Sequence, residues 1–217
     1  MPTRYSEELV NIANQAQERL GLRNRAREQA LPVSREVIRF SANAIRAVHR
    51  GEFEEARNIL ERADARLKDT DNIREEAPEI YYAGFMNDAR KEFSEAHVTL
   101  AVLAGEKIPQ PQELGVEPST FLNGMAEVIG ELRRYILDAL RQDSVDRCQE
   151  LMDVMDEIYA ILVTIDYPEA VTGGLRRSTD QMRGVLERTR GDLTMALRQH
   201  KLEAQLAQWE TRQSGTG

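Results

Sequence analysis

The chain has 217 residues, a net charge of −8, and 41% hydrophobic, 30% charged and only 6% aromatic residues. That length buries a full core in one domain, and the composition suits a helical bundle better than a sheet protein. The acidic balance excludes a protein that coats duplex DNA with its whole surface, though not one with a local basic groove.

Apolar residues recur at i, i+3, i+4 and i+7 almost throughout, and no segment sustains period-two alternation. The pattern predicts a long first helix over about Tyr5–Arg50, bent or broken at Pro32, with Gly51 just past its end. A second helix follows from Glu52 to Lys68 and ends in the polar turn 69–72. A third is expected from Pro78 to Ala104, closed by Gly105. Residues 105–117 hold Pro109, Pro111 and Gly115 and are read as a loop. Pro118 suits the first turn of a fourth helix reaching Arg141, and Asp143 or Ser144 is expected to cap a fifth to Thr164. After Gly173-Gly174 a long last helix runs to about Trp209. The expectation is therefore an all-α, antiparallel bundle of six to seven helices over 1–212, with a disordered tail at 213–217.

Cys148 is the only cysteine, which excludes an intramolecular disulfide and a Cys metal cluster. The N-terminus lacks an apolar signal region, and no apolar run approaches the roughly 18 residues of a membrane span. The expectation is a cytoplasmic protein with no membrane association. His49, His97 and His200 are widely spaced, so no zinc site is indicated. No phosphate-binding glycine loop and no nucleophile elbow is present. Tyr81-Tyr82 is read as core packing.

Two acidic stripes stand out. At ~100° per residue, Phe121, Val128, Ile129, Leu132 and Ile136 share one face of the fourth helix, while Gly124, Glu127, Glu131, Arg134 and Asp138 line the other. The third helix carries Asp88, Glu92, Glu95 and Thr99 in a similar row, bordered by Phe85, Phe93, Leu100 and Leu103. Carboxylates gathered near apolar surface call for protons or a cation, and oxygen donors suit magnesium. Spacing alone equally fits solvated faces, with Lys91 and Arg134 pairing the acids.

A basic stripe completes the set. Arg35, Arg39, Arg46 and Arg50 fall within about 60° of one another on the first helix, joined by Asn43, and no acid interrupts them. Arg176, Arg183 and Arg190 form a second stripe on the last helix, where Asp180 and Glu187 alternate with them. Guanidinium groups so arrayed suit phosphate oxygens, which they bind bidentately. Pairing with glutamates of neighbouring helices is the competing reading.

SREVIRFSANAIRAVHR (34–50), KEFSEAHVTL (91–100), FLNGMAEVIGELRRYILDAL (121–140) and YPEAVTGGLRRSTDQMRG (167–184) together resemble the translin–Trax family of helical nucleic-acid-binding proteins. The last stretch looks particularly like the compact archaeal members. Glu92-Phe93-Ser94-Glu95-Ala96 matches an E-[aromatic]-x-E-A element of the Trax-type catalytic branch, and Gly124–Leu132 matches its G-x-x-D-x-x-G-E-L element. Glu127 departs from that pattern by replacing the aspartate, which lengthens the side chain by one methylene.

The resemblance implies that Glu92, Glu95, Glu127 and Glu131 are catalytic carboxylates that bind Mg2+ or Mn2+. Asp88 matches no family motif and is a further ligand candidate only because it shares the row with Glu92. It implies RNA, and single-stranded DNA beside it, as partners, for which the stripes read from spacing, Arg35, Arg39, Arg46 and Arg50 with Arg176 and Arg183, are the candidate contacts. It also implies a homo-oligomer, hexamer to octamer, whose cavity admits single-stranded or flexible RNA for endonucleolytic cleavage. The alternatives are a non-catalytic nucleic-acid-binding protein of the same fold, and a helical scaffold with no nucleic-acid function.

Overall fold

The computed structural model describes residues 3–142 and 144–214, and among them every regular element is an α-helix. In chain order these are α1 (Ser6–His49), α2 (Phe53–Lys68), α3 (Asp71–Glu76), α4 (Pro78–Tyr81), α5 (Gly84–Ala104), α6 (Pro118–Leu140), α7 (Cys148–Leu162), α8 (Glu169–Thr172) and α9 (Leu175–Ser214). The chain divides into two compact units, Met1–Phe121 and Leu122–Gly217.

In the first unit α1 packs along α2 and α5. Ala30, Ala44, Ala47, Ala56 and Ala63 are fully buried on these faces, and their small side chains let the backbones approach closely. Phe93 and Met86 of α5 fill the remaining space with no exposed surface, each stabilising by about 1.5–3 kcal/mol on transfer from water. Pro32 removes one helical hydrogen bond yet does not end α1, because packing on both sides of it holds the helix together. Gly51 and Gly105 turn the chain with φ of 76° and 72°, a region costly for any residue with a Cβ.

In the second unit α7 and α8 pack on α9. Asn123 of α6 donates to the Thr172 carbonyl at 2.7 Å and accepts from the Ser178 hydroxyl at 3.1 Å. Arg133 donates to Thr189 at 3.0 Å and pairs with Asp192 at 2.9 Å, so polar anchors tie α6 to α8 and α9 at both ends.

Some expectations need correction. The third helix is interrupted at Tyr82 and Ala83, so Pro78 opens only the single turn α4. The polar segment 71–76 is helical, anchored by the buried Ile73. Of the two expected caps for the helix after α6, Asp143 lies outside the described residues and Ser144 precedes the helix by four positions. The last helix runs past Trp209 to Ser214, and residues 215–217 of the expected tail lie outside the described residues. No described helix is long and apolar enough to cross a membrane.

Candidate metal centre and nucleic-acid interface

α5 presents its acids at graded depth. Asp88 in the second turn is exposed, Glu92 is half-buried, and Glu95 is 7% exposed. One turn on, Thr99 is fully buried and its Oγ1 has no hydrogen-bond partner. The gradient arises because the row starts at the mouth of the helix and advances beneath the apolar residues bordering it.

α6 places Glu127 and Glu131 one turn apart, both half-buried, so these acids do not face open solvent. Gly124 and Ala126 beside them are buried, as are Val128 and Ile129. Arg134 lies 3.7 Å from the Glu131 carboxylate, while Asp138 pairs with Arg141 at 3.5 Å.

On α5, Glu92 and Glu95 each offer one carboxylate oxygen, and the two lie within 4.8 Å of one another. Hard anionic oxygens are the donors that a divalent cation such as magnesium prefers. On α6, Glu127 and Glu131 offer a second pair one turn apart, and Asp88 stands outside the α5 pair.

The basic stripe of α1 opens into a pocket of about 410 Å³ in the first unit, lined by Arg39, Phe40, Asn43, Arg46 and Arg50, with Glu55 the one acid in its lining. α2 contributes Arg62, which stacks over the Phe40 ring at 4.7 Å while Arg39 lies over it at 5.6 Å. Arg46 donates to the Asn43 side-chain oxygen. Arg50 donates through Nε to Glu52 at 2.8 Å, a contact that raises its pKa and lowers that of Glu52. Arg35 is exposed on α1 but does not line the pocket.

Sequence reasoning missed Arg62, because α2 viewed alone gives no reason to single it out. The available signal was its register, which a packing of α1 on α2 turns toward Phe40. On α9, Arg176 and Arg183 are exposed, and Arg183 pairs with Glu187 at 3.3 Å. Arg190 reaches Asp156 on α7 with both oxygens within 2.7 Å. The α9 stripe is thus partly neutralised by its own unit, as the alternation of charges foreshadowed.

Two solved structures share this arrangement of helices: AfC3PO alone and AfC3PO in complex with duplex RNA, each at a TM-score of 0.77 and 35% identity over 85% of this chain. The match takes in 95% of the chain in the RNA complex and 96% of the chain without RNA. The chain belongs to the translin/Trax-like C3PO family. An uncharacterized protein of Methanocaldococcus jannaschii is 31% identical over 189 residues, covering 86% of this chain and 83% of that protein. Apo-NeC3PO, at 18% identity and a TM-score of 0.70, shares the C3PO fold. No protein-family model matches the sequence.

Proposed function

We propose that this protein is an RNA-binding, metal-dependent endoribonuclease of the C3PO type, whose acidic site is built from Glu92, Glu95, Glu127 and Glu131. The observation that carries the reading is the α5 pair: Glu95 is only 7% exposed, yet it offers a carboxylate oxygen within 4.8 Å of one from Glu92. RNA as the ligand is supported by the duplex RNA complex of AfC3PO, and it widens the expected substrate from single-stranded to base-paired RNA.

Glu92, Glu95 and Glu127 would hold a magnesium or manganese ion, which when bound would supply Lewis-acid polarisation of a phosphate oxygen and a more acidic water. Glu131, steadied by Arg134, accepts a proton from the attacking water. Water oxygen bonds to phosphorus, the phosphorus–ribose oxygen bond breaks, and the departing oxygen takes up a proton. Arg39, Arg46, Arg50 and Arg62 hold the backbone phosphates, and Phe40 keeps two of those guanidinium groups in register. Arg35, Arg176 and Arg183 extend the contact outside that pocket.

Assembly into a homo-oligomer of six to eight copies is supported by large apolar side chains left exposed on α1 (Leu9, Val10, Ile12) and α9 (Leu202, Leu206, Trp209). Light scattering tests this, and a strict monomer at micromolar concentration would remove it.

The functional test is cleavage of labelled RNA, single-stranded and duplex, with and without magnesium. Cleavage that needs the metal and is abolished in Glu131→Ala, with binding intact, supports the enzyme. Binding with no cleavage in magnesium or manganese leaves a non-catalytic RNA-binding protein, the second reading.

A further inference from the structure

A second cavity of the first unit lies apart from the basic pocket, and none of the four site acids lines it. About 700 Å³ in volume, it is walled by α2 and α5 and by the segment 106–115. Arg90 of α5 lines it and is 4% exposed, a depth at which arginine is normally paired with a carboxylate. No carboxylate pairs with it among the described residues. Its guanidinium donates to the Tyr81 carbonyl at 2.7 Å and lies 3.9 Å from the centre of the Tyr81 ring. One carbonyl and one ring face engage only part of a fork that carries five N–H donors, and Asp71 is the carboxylate whose charge acts on it without pairing. Burial accordingly lowers the Arg90 pKa.

Arg74 of α3 lines the same cavity and approaches the same ring, 5.9 Å from its centre. A second orphan is His97, whose Nε2 is buried without a hydrogen-bond partner in the same wall. A guanidinium without a carboxylate and an imidazole nitrogen without a partner thus border one space. Buried polar groups left so cost free energy that a bound ligand recovers.

The remaining charges narrow the ligand. Asp64 is held by Lys68 at 2.6 Å, Glu106 by Arg57, and Glu113 by Lys107 at 3.3 Å. Glu61 and Asp71 add negative charge to the lining. Such a rim repels a polyanion, whereas Arg90 and Arg74, which line the same cavity, offer two forks to a single phosphate.

We propose that this cavity binds a small phosphate-bearing anion, held by Arg90 and Arg74 against Tyr81 with His97 Nε2 as a further polar contact. This does not rest on the nuclease reading, because neither the acids nor the α1 stripe takes part.

Titration calorimetry of the full-length protein, without metal, tests it with three probes: inorganic phosphate, adenosine 5′-monophosphate and adenosine. Phosphate and the monophosphate should bind and adenosine should not. Tighter binding of the monophosphate identifies a nucleotide as the source, and equal binding identifies the free ion; each supports the site. Arg74→Ala, at an exposed position, should weaken binding at least about tenfold, the loss of one charge-assisted contact. Arg90→Lys keeps the charge and removes the fork, and should weaken binding with the helical circular dichroism unchanged. If Arg90→Lys does not fold, Arg74→Ala decides. Absence of binding at millimolar phosphate overturns the proposal. So does binding that survives Arg74→Ala but is lost in Arg46→Ala, which would place the anion in the α1 pocket.

Discussion

Glu92 and Glu95, one turn apart on α5, bring carboxylate oxygens within 4.8 Å although Glu95 is only 7% exposed. Two like charges at helical spacing already cost about 0.2–0.5 kcal/mol in an isolated helix, and burial strengthens the repulsion. A cation that reaches them should therefore stabilise the fold. Magnesium at a hundred times its dissociation constant contributes about 2.7 kcal/mol to any protein that binds it only when folded. Scanning calorimetry should show a magnesium-dependent rise in Tm for the native sequence and little or none for Glu95→Gln. An equal rise in both would separate these acids from metal binding.

The pocket of Arg39, Arg46, Arg50 and Arg62 gives a different signature. Each phosphate contact releases condensed counter-ions, so log affinity falls with log salt by about 0.9 per contact on a B-form duplex and by about 0.7 on a single strand. Arg62→Ala and Arg46→Ala should each weaken RNA binding across all sequences and reduce the salt slope by about one. Fluorescence anisotropy over a salt series measures both quantities. An unchanged slope would take the RNA off this face.

The long helices were legible because their apolar periodicity is strong, and packing rather than propensity decides whether they persist. Pro32 shows the limit: the rule that proline breaks helices was overridden by burial of Ala30, Val33 and Val37 around it. α3 was invisible because a single buried residue, Ile73, sets its register. At the site, spacing alone left the acids indistinguishable from solvated faces. The translin–Trax resemblance singled out four, whereas the depth at which Glu95 is buried depends on tertiary packing no periodicity encodes. Arg62 and the Arg90–His97 cavity were missed for the same reason.

His97 predicts an acid-side loss of stability. Burial holds its pKa down to about 4, from 6.5, against the weaker opposing pull of Asp64. The folded protein therefore keeps this imidazole neutral, while the unfolded chain takes up a proton below pH 6.5. The unfolded state binds more protons between those values, so the stability is fully present above pH 6.5. It declines as pH falls toward 4 and levels off below that, by about 3 kcal/mol in all. Urea unfolding across pH 4–7 should show this slope, and His97→Phe, which keeps the ring against Phe93, should flatten it. Parallel curves for the two proteins would assign the acid sensitivity to other groups.

Asn123 anchors the start of α6 through hydrogen bonds to the Thr172 carbonyl and from the Ser178 hydroxyl. With 8% exposure it has little water to replace those partners. Asn123→Ala should cost about 1–3 kcal/mol, the penalty for burying groups left without a partner. Denaturant midpoints at constant m-value check it, and a change below a few tenths of a kcal/mol would mean that solvent reaches the site.

Crystals soaked in manganese and recorded at its absorption edge address the central assignment most directly. A strong anomalous peak should stand between Glu92, Glu95 and Glu127, within about 2.3 Å of an oxygen from each, and vanish in Glu95→Gln. No peak there, or a peak that leaves Glu127 uncoordinated and persists in the variant, would contradict the metal site and the nuclease built on it.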